Sequence, residues 1–305
     1  MTDIINIVLA SDNNYAQHLA VTAVSILENT GKPKSICFYV LSDGIDDDNY
    51  CLIQKTICNY GASVTKIECA TNDGFYTEGH ITKAAYLRLN IANVLPLNVN
   101  KVIYLDDDLL VLQDIEELWN VDLQGKPVAA VPDLALMCSK RMMEQKRQTL
   151  GLCNDDLYFN SGVMVIDVQQ WRDLNYSEKV VAAARDNNFR HQDQDALNLV
   201  FKNNWLPLDF KWNVIPPIWA MQLKIYFSEF RSEAVIAHNN PAIFHYAGRY
   251  KPWEFEIRQG FNDKYYEYFA KTEFKNKKMP QPGNMQGKSL LRQMLRIKFG
   301  NWLCR

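Results

Sequence analysis

Short apolar runs alternate with segments of helical periodicity along most of the 305 residues. That alternation limits the possible folds more than any other feature of the chain. Residues 4–10 read as a strand buried on both faces, ending in the polar turn Ser11-Asp12-Asn13-Asn14. Ala16, Leu19, Ala20, Ala23, Val24 and Leu27 then share one helical face, closed by Gly31 and Pro33. The spacing predicts further strands over 36–41, 64–69, 102–105, 128–131 and 162–168. It predicts helices over 49–59, 82–95, 139–150, 178–187 and 193–202. Such alternation specifies an α/β domain with a mainly parallel central sheet covered by helices on both faces.

Charge divides the chain into two parts. The totals, 33 Lys+Arg against 35 Asp+Glu, give a net of -2. Residues 275–305 nevertheless hold eight basic residues and no acid, leaving 25 basic against 35 acidic in residues 1–274. An acidic body lacks the broad basic face of a nucleic-acid binder, so no nucleic-acid partner is expected. The basic end, preceded by a Lys-, Pro- and Gln-rich stretch, carries Leu290, Leu291, Met294, Leu295, Trp302 and Leu303 at helical spacing. It reads as a short helical extension, either packed on the body or lying on an anionic membrane surface. Seven scattered cysteines without a metal spacing suit a reducing cytoplasm. Neither a signal-like start nor an 18-residue apolar run is present, which points to a protein at most peripheral to the inner membrane face.

The strongest chemical feature follows the fourth strand, at Tyr104-Leu105-Asp106-Asp107-Asp108-Leu109. Adjacent carboxylates raise one another's pKa unless a cation offsets them. The carboxyl ends of parallel strands are also where open α/β sheets bind ligands. In extended backbone Asp106 and Asp108 project to one side and Asp107 to the other. Two carboxylates on one side suit a hard divalent ion such as Mn2+ or Mg2+; the alternative is an acidic turn left in water.

Three weaker features accompany it. The segment from Phe244 to Trp253 joins His245, Gly248, Lys251 and several rings, either as a ligand set or as ordinary core with one hydrogen-bonded histidine. His191-Gln192-Asp193-Gln194-Asp195 can hold sugar hydroxyls or simply cap a helix. Phe159-Asn160-Ser161-Gly162 reads as a polar turn before a strand. The chain has no phosphate-binding P-loop, no dinucleotide G-x-G-x-x-G after the first strand and no G-x-S-x-G elbow. A dehalogenase-type phosphatase is disfavoured because Leu109-Leu110-Val111 follow the aspartates.

Together these segments resemble the retaining glycosyltransferases of family 8, which have the GT-A fold, and most of all the bacterial lipopolysaccharide and lipooligosaccharide galactosyl- and glucosyltransferases. The likeness runs from Ile4 to about Trp253 with the motifs in family order. It implies one GT-A-like, Rossmann-type catalytic domain over 1–274 and a basic extension over 275–305. Asp12 and Asn14 would contact uracil or ribose and Tyr15 would stack on the base. Ile81 would lie near the nucleotide and Arg88 would reach the donor sugar. Asp106, Asp108 and His245 would bind the metal, and Gly248 and Lys251 the diphosphate. Asn160, Ser161 and Gly162, with Asp193 and Gln194, would form the donor-sugar pocket. Gln194 would lie near the anomeric carbon, and Asp193 would be the nearest carboxylate. Asp107 departs from the apolar residue usual in close relatives; its backbone could touch ribose.

The expected activity is transfer of galactose or glucose from a UDP-hexose to a saccharide acceptor, free or lipid-linked. Two alternatives stay open from the residues alone, namely a metal-dependent nucleotidyltransferase and a non-catalytic saccharide- or nucleotide-binding module.

Overall fold

The computed structural model describes residues 4–69, 84–248, 251–254, 260–277, 295, 298–299 and 302–304. Strand β1 (Ile5–Asp12) leads into helix α1 (Ala16–Asn29), then β2 (Ile36–Asp43), helix α2 (Asp47–Cys58) and β3 (Ser63–Glu68). Within β1 the alternation of side chains splits the core. Ile5, Ile7 and Leu9 join one apolar cluster while Val8 and Ala10 join the other, so the sheet is covered on both faces. Asp46 caps α2 by accepting a hydrogen bond from the Asn49 N–H, and the acidic first turn, Asp47 and Asp48, suits the positive end of the helix.

Strands β4 (Lys101–Leu105), β6 (Val128–Pro132), β7 (Phe159–Asp167) and β8 (Leu206–Pro207) complete a seven-stranded sheet in the order β3-β2-β1-β4-β7-β6-β8. Its four left-hand strands are parallel, and β6 and β8 are parallel to each other. Strand β7 runs antiparallel to both neighbours, β4 and β6. This reversal positions the site. Leu9 lies opposite Leu105, so the turns leaving β1 and β4 are side by side. Because β7 is reversed, its first residues reach the same edge, and the Asp106 N–H donates to the Gly162 carbonyl at 2.9 Å.

A second, two-stranded sheet pairs β5 (Leu109–Val111) with β9 (Ile243–His245), and sets His245 opposite Leu109. The remaining long helices used below are α3 (Lys140–Leu150), α4 (Tyr176–Asp186) and α5 (Gln192–Val200). Helix α3 ends at Gly151, whose φ of 63° is the left-handed stop that glycine takes most easily.

Two expectations change. Phe159–Gly162 is the start of β7 and not a turn. The single helix expected over 82–95 is broken into Ala84–Leu87, a 3-10 turn at Arg88–Asn90 and Ile91–Val94. The tightening falls where the buried Arg88 guanidinium is drawn inward to two carboxylates. The sheet is mainly parallel, as the alternation implied, with β7 running against both of its neighbours. Most of the basic extension lies outside the described residues. Of its described part, Leu295, Phe299 and Trp302 are exposed, while Leu303 and Cys304 pack against the core. Among the described residues no helix is long and apolar enough to cross a membrane.

A buried ion pair fixes the first turn of α5. Asp195, fully buried, accepts from the Tyr158 hydroxyl at 2.6 Å, from Lys146 Nζ of α3 at 2.5 Å and from the His191 N–H at 3.0 Å. Removing one partner of an enclosed pair costs roughly 3–5 kcal/mol, and less where one side borders solvent, as Lys146 does. Lys146→Met should therefore lower stability by about 2 kcal/mol, read as a lower urea midpoint with an unchanged slope. An unshifted midpoint would mean that the pair does not hold α5.

Candidate active site

Asp106 and Asp108 lie in the bend between β4 and β5, and His245 approaches from β9. Each offers one ligand atom, and the three atoms lie within 4.8 Å of one another. His245 Nε2 stands 3.0 Å from Asp108 Oδ1 and 3.7 Å from Asp106 Oδ2. The ring is aimed by its other nitrogen, since Asn213 Oδ1 lies 2.9 Å from His245 Nδ1. A second partner of this kind holds both the orientation and the tautomer of a ligand histidine.

Gly162 completes the cluster by having no side chain. A Cβ there would stand 2.4 Å from His245 Cε1 and 2.7 Å from Asp106 Oδ2. Two carboxylate oxygens and an imidazole nitrogen are a donor set for Mn2+ or Mg2+, and the close approach across Gly162 shows the three residues fit such an ion.

Basic groups offset the carboxylates. Arg88 Nη2 pairs with Asp106 Oδ1 at 2.8 Å, and the Tyr104 hydroxyl donates to the same oxygen at 2.9 Å. Lys251 donates to Asp108 and, at 2.9 Å, to the Tyr246 carbonyl. Burial alone would push the Asp108 carboxyl up, but Lys251 and His245 outweigh it and hold the group well below the usual range. Asp107 points the other way and accepts from Ser11 Oγ at 2.7 Å. Burial first, then Asp108, pushes its carboxyl well up.

Arg88 also joins this cluster to a second one. Its Nε lies 3.3 Å from Asp193 Oδ2, which accepts from Ser161 Oγ at 3.2 Å. Burial raises the Asp193 carboxyl, opposed by Arg88. The Gln194 amide is held at both ends. Its oxygen accepts from Asn160 Nδ2 and from the Ser161 N–H, each at 3.2 Å, and its nitrogen donates to Asp133 Oδ2 at 3.2 Å. Asn160 in turn accepts from Asn213 Nδ2 at 2.8 Å, so the residue that aims His245 also supports the Gln194 pocket.

The turn after β1 is closed by Asp12, whose Oδ1 accepts the N–H groups of Asn14 at 2.8 Å and Tyr15 at 3.1 Å. Asn14 is exposed and Tyr15 half-buried, its ring edge-on to His18 and Trp253. Gly248 adopts a φ of 91°, which other residues rarely take. Ile81 lies outside the described residues. The structure thus brings Arg88, Asp106, Asp108, Asn160, Ser161, Gly162, Asp193, Gln194, His245 and Lys251 together, with Asp12 and Asp107 beside them at the ends of β1 and β4.

Sequence reasoning missed Tyr104, Asp133 and Asn213, which act through their neighbours. Only Tyr104, two positions before Asp106 on the same strand face, carried a readable signal.

Residues 6–256 match the model of Glycosyl transferase family 8. The chain belongs to that family, and is a glycosyltransferase. It is 33% identical over 280 residues to General stress protein A of Bacillus subtilis, covering 89% of this chain and 95% of that one. It is 26% identical over 264 residues to Lipopolysaccharide 1,2-glucosyltransferase of Escherichia coli, covering 83% and 73% respectively. Among solved structures, galactosyltransferase LgtC in complex with donor and acceptor sugar analogues superposes with a TM-score of 0.78 at 26% identity, over 88% of this chain and 96% of that one. The fold is therefore the GT-A-like α/β fold that the motifs implied.

Gly162→Ala should weaken Mn2+ binding by at least about tenfold, as loss of ligand-supporting geometry typically does. Titration followed by Mn2+ electron paramagnetic resonance measures this. An unchanged affinity would show that the three ligand atoms do not converge on one ion.

Proposed function

We propose that the chain transfers a hexose, glucose or galactose, from a UDP-hexose to a hydroxyl of a saccharide acceptor with retained anomeric configuration. The observation that carries the reading is the buried Arg88, which ties the Asp106–Asp108–His245 cluster to the Asp193–Gln194 pocket in one continuous site. A leaving diphosphate and a reacting sugar need two such adjoining regions. The named glucosyl- and galactosyltransferase relatives support the hexose and a role in lipopolysaccharide or lipooligosaccharide assembly.

A Mn2+ or Mg2+ ion held by Asp106, Asp108 and His245 would supply Lewis acidity against the charge that grows on the departing diphosphate. Lys251, with Gly248 allowing close backbone approach, adds a second positive group on the same side. Asp12, Asn14 and Tyr15 take the uridine, with the Asp107 backbone near ribose. Asp193, Asn160, Ser161 and Gly162 hold the hexose. Gln194, fixed at both ends of its amide, faces the anomeric carbon. An amide is a poor nucleophile, so the acceptor hydroxyl attacks from the face that the diphosphate leaves, through an oxocarbenium-like state. Asp193 is the carboxylate that a double displacement would use.

The basic extension over 275–305 attaches the enzyme to the cytoplasmic face of an anionic membrane, where a lipid-linked acceptor is presented. Exposed Leu295, Phe299 and Trp302 support this, with Phe299 and Trp302 stacked at 5.6 Å.

UDP release from UDP-glucose and UDP-galactose, with and without Mn2+, tests the reaction. Metal-dependent release is expected, reduced about 100-fold or more in Asp193→Asn and Gln194→Ala, on the scale of losing a group aimed at the transition state. Near-normal rates in both variants would overturn the placement of the sugar, and the absence of release from any UDP-hexose would overturn the donor. Deleting residues 275–305 should move the protein from the membrane fraction to the soluble one while sparing UDP-hexose hydrolysis. Unchanged fractionation would remove the membrane role.

A further inference from the structure

A chain of three carboxamides joins the metal cluster to the Gln194 pocket. Asn213 Oδ1 lies 2.9 Å from His245 Nδ1, and Asn213 Nδ2 donates to Asn160 Oδ1 at 2.8 Å. Asn160 Nδ2 donates to Gln194 Oε1 at 3.2 Å, and Gln194 Nε2 donates to Asp133 Oδ2 at 3.2 Å.

Each carboxamide has a donor end and an acceptor end, so a chain of them runs in one direction or the other. Here the direction is imposed by neighbouring groups whose role cannot be exchanged. The Gly162 N–H donates to Asn160 Oδ1 at 3.0 Å, and the Ser161 N–H donates to Gln194 Oε1 at 3.2 Å. The Asp133 carboxylate presents only oxygen to Gln194. Two main-chain donors and one carboxylate thus turn the Asn160 oxygen toward Asn213 and the Gln194 oxygen toward Asn160. Asn213 must answer Asn160 with its nitrogen, which leaves its oxygen for His245.

An oxygen there accepts, so the Nδ1 atom of His245 carries a proton. Nε2, which stands 3.0 Å from Asp108 Oδ1 and 3.7 Å from Asp106 Oδ2, is then the nitrogen available to an ion. This first link is also rigid. Asn213 is buried at the end of a 3-10 turn (Phe210–Asn213), and the carbonyl of the next residue, Val214, accepts from the His245 N–H at 3.1 Å. At the far end, the same direction turns the negative end of the Gln194 amide dipole toward Asn160 and Ser161. On the transfer reading above, the hexose lies on that side and positive charge grows at its anomeric carbon.

We propose that Asn213 is a positioning residue for both halves of the site: its oxygen selects the ligand nitrogen of His245, and its nitrogen, through Asn160, orients the Gln194 carboxamide. The role at Gln194 rests on the transfer reading; the role at His245 does not.

Long-range 1H–15N correlation spectra of the full chain with 15N-labelled histidine, assigned against His245→Gln, should show a protonated Nδ1 at His245. An unprotonated Nδ1 overturns the role at His245. Two substitutions of similar size then separate the two ends of Asn213. Asn213→Asp keeps an acceptor toward His245 and loses the donor toward Asn160, whereas Asn213→Leu loses both. Mn2+ affinity without nucleotide, followed by electron paramagnetic resonance, should be kept or tightened in Asn213→Asp and fall about tenfold or more in Asn213→Leu. Unchanged affinity in Asn213→Leu, or an equal loss in both, overturns the role at His245. In UDP-hexose hydrolysis at saturating Mn2+, Asn213→Asp should lose about tenfold or more in kcat with a smaller change in KM. Asn160→Asp, which sets an oxygen against Gln194 Oε1 while its other oxygen keeps both donors, should lower kcat likewise with Mn2+ affinity unchanged. Unchanged kcat in these two variants overturns the role at Gln194. Absence of UDP release from any UDP-hexose by the unsubstituted chain overturns the transfer reading and leaves the histidine and Mn2+ results standing.

Discussion

Everything at the site follows from the repulsion among three consecutive carboxylates at the end of a buried strand. Asp106, Asp107 and Asp108 cannot share one low-dielectric surface as anions, and the bend between β4 and β5 separates them. Asp107 is turned toward Ser11. Asp106 and Asp108 remain on the cleft side, each with its own basic neighbour, Arg88 for one and Lys251 with His245 for the other. These neighbours come from two distant parts of the chain, Arg88 from one and His245 with Lys251 from the other, so compensating the repulsion requires both to converge there.

Topology supplies that convergence. Parallel pairing of β1 with β4 places the turn that Asp12 closes next to the aspartates. Reversal of β7 sends its first residues to the same edge, where Gly162 lets His245 and Asp106 approach within contact of its backbone. The β5–β9 pair is short, yet it sets His245 across from Leu109, one residue past Asp108. A uniformly parallel sheet would have put Asn160 to Gly162 at the opposite edge, away from the metal ligands. The reversal is therefore the feature of the fold that joins the Asn160–Gln194 network to the Asp106–Asp108–His245 cluster.

Much of this was legible before any coordinates. Local patterns decide local structure, so β1, α1, β2, α3 and β7 fall within a few residues of the spans that periodicity implies. An extended segment would point Asp106 and Asp107 to opposite sides; the structure separates them in a bend that apolar spacing does not register. The direction of β7 could not be deduced, because an apolar run looks the same either way round. The broken helix around Arg88 was hidden for a related reason. Apolar spacing registers the helical period, whereas the tightening answers a buried guanidinium reaching carboxylates from β4 and α5, which are remote in sequence. Asp133 and Asn213 were invisible because each works by holding another side chain, and a hydrogen bond between distant residues leaves no periodic trace.

Helix α5 shows how closely two roles can be packed. Asp193, Gln194 and Asp195 are consecutive, and successive helical residues point about 100° apart. Asp193 and Gln194 therefore meet Ser161, Arg88 and Asn160, while Asp195 meets Lys146 and Tyr158. The same acid type is held by a guanidinium in one direction and by an ammonium and a phenol in another. Because Asp195 is fully buried, rotation of α5 would strand an uncompensated charge, a larger penalty than loss of any single hydrogen bond around Asp193 and Gln194. The geometry of Gln194 is in this way set from behind, by an ion pair that makes no contact with the Asn160–Ser161 side of its amide.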